Sequence, residues 1–116
     1  MNKNNKLLIS EQQKIICERY GVLPKEPEEM VAIALDNLSG NPIYGTRIKH
    51  LDGGNISWFF YCGEYCAKDD FYQPLHTENL EELLPEVINY LYLPEGYHFI
   101  IDRNGYEDVW FEEINE

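Results

Sequence analysis

Along residues 80–91 the apolar positions are Leu80, Leu83, Leu84, Val87, Ile88 and Leu91, the i, i+3, i+4, i+7, i+8, i+11 spacing of one helix face, with Glu78, Glu81, Glu82 and Glu86 opposite. Thr77 stands where an N-cap belongs. Pro85 interrupts the pattern, because in a helix interior its ring removes a hydrogen bond and clashes with the carbonyl of Glu81, at roughly 3 kcal/mol. The pattern therefore predicts a kink, or two shorter pieces meeting near Leu84 that share one buried face. Nearer the N-terminus, Ser10 with Gln13 three residues on forms a capping box and predicts a helix over about 11–20. Gly21 supplies its left-handed stop. Pro24 and Pro27 in "LPKEPEE" then enforce an exposed acidic connector over 21–29.

The remaining apolar runs carry strand signals. "MVAIAL", Met30 to Leu35, has β-branched residues on alternate positions and suits a strand covered on both faces, although a run this short also fits a helix segment. Ile43 to Lys49 is a second strand candidate, ended by "HLDGGN", whose Asp-Gly-Gly is turn chemistry. Ile56 to Cys62 places Trp58, Phe60 and Cys62 on one face and Phe59 and Tyr61 on the other, so both faces are apolar and the segment reads as the central strand. Tyr97 to Asp102 and Tyr106 to Phe111 flank Arg103-Asn104-Gly105, a hairpin signal. The order helix, strands, helix, hairpin predicts an α+β fold in a single domain, 1–116. Its sheet is expected to be mainly antiparallel, with four to five strands. The core should span 30–113, and residues 1–6 are expected to fray.

Composition and charge narrow the function classes. A hydrophobic content of 44% argues against disorder beyond the ends. The net charge of −12 is confined to one half: residues 1–58 hold seven basic and seven acidic side chains, residues 59–116 two basic and fourteen acidic. Such a field repels phosphate backbones and anionic lipids, which argues against nucleic acid and membrane surfaces as partners and favours a basic protein. The same acidity also serves solubility alone. "MNKNNKLLISEQQKIICERY" lacks the apolar core of a secretory signal, and no run approaches the roughly 20 residues that span a bilayer. A cytoplasmic location is expected, with the three cysteines as reduced thiols.

One stretch, "WFFYCGEYCAKDDFYQPLH", concentrates the candidate chemistry. Cys62 and Cys66 in C-x3-C spacing, with His76 and Cys17, are zinc ligands by type, but structural zinc sites commonly show two short-spaced pairs where this chain has one. Cys62 fits better as a small core residue at a strand end. A cysteine nucleophile at Cys62 or Cys66, with His76 or His98 as base and Glu64, Asp69 or Asp70 orienting the ring, is the enzymatic alternative, and nothing in the spacing demands it. No glycine-rich phosphate loop and no H-E-x-x-H motif occurs. The loop itself mixes negative charge with aromatic rings, the composition of a recognition surface. Glu64, Tyr65, Asp69, Asp70, Tyr72 and His76 are its candidate partner-binding residues. In the bland alternative Phe71 and Leu75 pack inward, Pro74 stiffens a turn and the acids are merely solvated.

The combined motifs of the second half resemble one family. A W-x-x-[WYF]-x-G-E-Y strand (Trp58 to Tyr65), an F-x-Q-P-L-H segment (Phe71 to His76), the leucine-rich helix, an L-P-x-G-[YW]-x-F-I turn and strand (Leu93 to Ile100) and a terminal G-Y-E-D-V-W-[FY] (Gly105 to Phe111) are similar to the bacterial immunity protein 33-like domain family. "IALDNLSGNPIYGTR" resembles the family's upstream strand pair, so the likeness covers most of 30–113. The cysteines are no part of this pattern. The resemblance implies a small cytoplasmic, non-catalytic protein of polymorphic toxin systems, without cofactor, that binds and neutralises a cognate toxin.

Overall fold

The computed structural model describes residues 9–49 and 55–113. The expected fraying of residues 1–6 and the Asp-Gly-Gly turn lie outside the described residues. Helix α1 spans Glu11–Arg19, and its start is the capping box that the sequence predicts: the Ser10 hydroxyl accepts from the Gln13 N–H at 3.1 Å while the Gln13 side chain accepts from the Ser10 N–H at 2.8 Å. Gly21, at φ +71°, turns the chain out of the helix.

Among the described residues six strands form one sheet, one more than the upper expectation: β1 Met30–Ile33, β2 Ile43–Arg47, β3 Ile56–Cys62, β4 Gln73–His76, β5 Tyr97–Ile101 and β6 Glu107–Phe111, in the spatial order β4-β1-β3-β2-β5-β6. Four of the five pairings are antiparallel and β1–β3 is parallel, so the sheet is mixed. β3, read from the sequence as the central strand, lies in its interior. The additional strand is β4, which the sequence reading leaves in the loop after β3, with Pro74 stiffening a turn. In the β1–β4 register the Thr77 N–H reaches the Glu29 carbonyl at 2.8 Å, so the hydrogen-bonded residues of β4 are Gln73 and Leu75, and Pro74 turns its missing N–H outward on an edge strand.

The helical segments cover one face of the sheet. Val31, Ile33, Ile43, Trp58, Phe60, Cys62, Phe99 and Ile101 project from that face into a common core with Ile16 and Cys17 of α1 and Leu80, Leu84, Val87, Leu91 and Leu93. Each of these larger apolar side chains contributes about 1.5–3 kcal/mol on burial. The 80–91 segment breaks as Pro85 requires: α2 is the short helix Leu80–Leu83, Leu84 leaves helical geometry at φ −151°, and Pro85–Tyr90 continues as a 3₁₀ helix with the proline at its first turn. The break rotates Leu83 out of the predicted stripe, leaving it 38% exposed. Thr77 is not the N-cap: it lies inside a 3₁₀ turn, Thr77–Asn79, and its hydroxyl donates to the Glu28 carbonyl at 2.6 Å, tying the acidic connector to the sheet.

The hairpin closes as expected. Gly105 adopts φ +107°, and one Asp102 carboxylate oxygen accepts from the N–H groups of Asn104 (2.8 Å) and Tyr106 (2.9 Å).

Candidate functional site

Strand alternation sends Phe59 and Tyr61 to the face opposite the helices, and the β2–β3 register sets Tyr44 across from Tyr61. Their rings stack at 4.4 Å and 17°. The chain leaving β3 turns at Gly63, φ +76°, and folds back over this face. Tyr65 then meets Tyr61 edge-on at 5.6 Å, Phe71 meets Tyr61 at 5.9 Å and Tyr65 at 5.2 Å, and Tyr72 stands edge-on to Phe59 at 5.1 Å. Six rings, of Tyr44, Phe59, Tyr61, Tyr65, Phe71 and Tyr72, thus form one connected cluster at the β3 end of the sheet. Phe71 is the buried member and anchors the loop, whereas Tyr65 is 58% exposed.

Polar satisfaction separates these tyrosines from the others. Tyr20 and Tyr90 donate their hydroxyls to Glu107 at 2.6 and 2.7 Å. Among the described residues, the hydroxyls of Tyr44, Tyr61, Tyr65 and Tyr72 have no hydrogen-bond partner. Burial, with a smaller contribution from neighbouring tyrosines, pushes the Tyr72 phenol up to about 12 and also raises that of Tyr61. Burial thus favours the neutral form of Tyr61 and Tyr72, and all four rings are apolar in body and polar at the tip, the chemistry that favours tyrosine at interfaces.

The structure brings the predicted residues only partly together. Tyr65 and Tyr72 lie 6.4 Å apart within the cluster, and Glu64, Asp69 and Asp70 are exposed in the segments that carry Tyr65 and Phe71. The Asp70 carbonyl accepts from the Gln73 side chain at 2.8 Å, fixing the turn into β4. Lys68 pairs loosely with Asp36 at 3.9 Å. His76 is exposed on the β4 edge and joins none of the described ring contacts. Sequence reading missed Tyr44, Phe59 and Tyr61 as members of the cluster, while Phe71 packs inward as one of its two readings of the loop had it. The alternation in "IYGTR" and "ISWFFYC" carries part of that signal, but the β2–β3 register was needed to join it.

Cys17 and Cys62 take other roles, while Cys66 is a partly exposed free thiol. Cys17 is buried and its thiol donates to the Tyr92 carbonyl at 3.5 Å. Cys62 is buried in the core, and desolvation raises its thiol above the ordinary range although Arg103 opposes this, the reverse of what an activated nucleophile needs. Among the described residues no hydrogen bond joins a cysteine to an imidazole, and no group of three or more His, Cys, Asp or Glu side chains is placed to hold a metal ion. No described helix is long and apolar enough to cross a membrane.

What fold and surface define together is an α+β domain whose sheet carries its helices on one side and a tyrosine-rich, acid-flanked cluster on the other. The chain belongs to the Imm33-like domain family, whose model matches residues 12–112. No curated protein and no solved structure matches it.

Proposed function

We propose that this protein is an immunity protein: a non-catalytic binding domain that neutralises a cognate bacterial toxin by docking it on the ring cluster of Tyr44, Tyr61, Tyr65 and Tyr72. Family membership supports the class. The observation that supports the surface is one connected cluster holding four tyrosine hydroxyls without a hydrogen-bond partner among the described residues, beside the exposed carboxylates of Glu64, Asp69 and Asp70. Phenols without internal partners are free to bond a partner at little ordering cost, since each ring is already held by its neighbours. The carboxylates select a basic partner and repel nucleic acid and anionic membrane. Binding in the cytoplasm, where the toxin would act on its producer, requires no cofactor.

The test is co-expression with the product of the adjacent gene. The two proteins should co-purify, and Tyr65→Ala with Tyr72→Ala should release the neighbour and restore its toxicity while the variant stays folded. Co-purification that survives both changes would move the interface elsewhere; a harmless neighbour that never binds would remove the immunity reading.

A further inference from the structure

The two edges of the sheet are treated differently, and the difference marks a second interaction surface that does not depend on the ring cluster or on the partner being a toxin. In the β5–β6 register the Glu112 N–H bonds the Gly96 carbonyl at 2.8 Å and the Asp102 N–H bonds the Tyr106 carbonyl at 3.1 Å. Antiparallel alternation between these two fixed points makes Trp110 and Asp108 the residues that exchange hydrogen bonds with β5. The main-chain N–H and C=O groups of Glu107, Val109 and Phe111 therefore point away from the sheet. Among the described residues, nothing bonds to those of Val109 or Phe111. At the opposite edge the outward positions of β4 are Pro74, which has no N–H to offer, and His76 at the strand's end. Edge strands are commonly blunted by proline, charged side chains or a bulge. β6 has neither proline nor bulge, and its charges, Glu107 and Asp108, are acidic, so they turn away an acidic strand and admit a basic one.

We propose that the β6 edge accepts an extended segment of a partner protein as a seventh strand, with basic side chains on one face of that segment and apolar ones on the other. The side chains of β6 set this pattern. Asp108, Trp110 and, by continued alternation, Glu112 stand on the face away from the helices, so a strand beside them is matched by lysine or arginine on that face. Val109 and Phe111 stand on the other face, where Val109 packs on the core and Phe111 is 58% exposed, so apolar side chains fit there. Glu107, on the same face, is already engaged by Arg19, Tyr20 and Tyr90. A second copy of the chain is a poor occupant, because it would bring two molecules of net charge −12 together along edges flanked by Glu112 and Glu113. Main-chain pairing supplies the affinity and the alternating side chains the selectivity, as in other cases of strand addition.

The experiment uses the intact protein and three capped nine-residue peptides: alternating lysine and valine, alternating glutamate and valine, and the lysine–valine peptide N-methylated on alternate residues. Amide exchange of the free protein should show Asp108, Trp110 and Glu112 protected and Val109 and Phe111 open. Adding the lysine–valine peptide should protect Val109 and Phe111 at least about tenfold, and the glutamate and N-methylated peptides should not. Val109→Pro removes an outward N–H in a strand geometry that proline tolerates at edges and also trims a side chain that packs on the core; with Asp108, Trp110 and Glu112 still protected in the variant, it should weaken the lysine–valine peptide about tenfold or more. Equal binding of the N-methylated peptide would reduce the effect to charge attraction and overturn the proposal. Val109 and Phe111 amides already protected in the free protein would overturn it too, since the edge would then be filled by this chain itself or by a second copy.

Discussion

The Arg47 guanidinium carbon lies 5.7 Å from the centre of the Trp58 ring, and both side chains are wholly buried. A buried cation is tolerated only when its donors are met. Here Nε donates to the Ser57 hydroxyl at 2.9 Å, Nη1 to the carbonyls of Lys25 (3.0 Å) and Leu93 (2.7 Å), and Nη2 to that of Glu26 (2.8 Å), with the Glu28 carboxylate at 3.5 Å. Burial depresses its pKa, and the charges of Glu28 and Glu95 work against that shift. One side chain thus fastens the 21–29 connector and the 91–93 segment to β2. Arg47→Met should cost about 3–5 kcal/mol, because it orphans several buried acceptors at once. Arg47→Lys should recover little, since an ammonium cannot reproduce the planar fork. Urea unfolding measures both; a loss below about 1 kcal/mol for either would contradict the clamp.

Gly45 lies opposite both Phe60 and Phe99, and a methyl group added there would strike the Phe99 ring. That ring has no room to retreat, packed at 4.7 Å against Tyr90 and 5.7 Å from Trp58. Gly45→Ala is therefore expected to destabilise by about 1–3 kcal/mol through overpacking. Adding Phe99→Leu should make the double variant more stable than the sum of the two single losses, a positive coupling readable from a thermodynamic cycle. Strict additivity would show that the clash is relieved by other means.

Glu107 sets an acid limit on stability. Burial favours its protonated form, yet hydrogen bonds from Tyr20, Tyr90 and Arg19, with the charge of Arg19, win and hold its pKa below the ordinary 4.5. A carboxylate depressed on folding stabilises fully above its unfolded pKa, and that contribution is lost as pH falls through the folded value. Tyr90, buried in the core and raised chiefly by that burial and then by Glu107, behaves in the opposite sense: its contribution is complete below about pH 10 and is lost as pH rises beyond it. Glu107→Gln should flatten the acid limb of a stability profile, and Tyr90→Phe the alkaline limb. Midpoint denaturant concentrations from pH 3 to 11 test both.

The fold was legible where local signals agree. The Ser10 capping box, the break at Leu84–Pro85 and the Gly105 turn are each decided within a few residues, and each formed as the sequence predicts. β4 was hidden because its deciding fact is non-local: Pro74 argues against a strand until its place on an edge, N–H side outward, is known. The parallel pairing of β1 with β3 is equally silent in the sequence, since both runs read as strands whatever their direction. Of the candidate surface, Tyr65, Tyr72 and the three acids were visible in one segment. Tyr44 and Tyr61 joined them only through a strand register that residue spacing does not encode.

The acidic flank and the ring cluster should separate in binding kinetics. If Asp69 and Asp70 steer a basic partner, their fields act on encounter before contacts form, so Asp69→Asn with Asp70→Asn should slow association and leave dissociation nearly unchanged. Salt should do the same, because the screening length falls from about 8 Å at 0.15 M to about 3 Å at 1 M. The same neutralisation at Glu112 and Glu113, remote in sequence from the cluster, should have little effect on this encounter. Tyr72 should behave in the opposite way: Tyr72→Ala removes a half-buried ring that touches Phe59 and Phe71, and should speed dissociation by an amount worth about 2 kcal/mol if the ring anchors the interface. Tyr65, mostly exposed, offers the cleanest control, since Tyr65→Ala should lower affinity while moving the unfolding midpoint by no more than about 0.5 kcal/mol. Stopped-flow measurements with the co-purified partner read all of these rates. Association that ignores both salt and the Asp69 and Asp70 changes would leave the acidity as a solubility device, and a Tyr72→Ala off-rate equal to that of the wild type would place the anchor elsewhere.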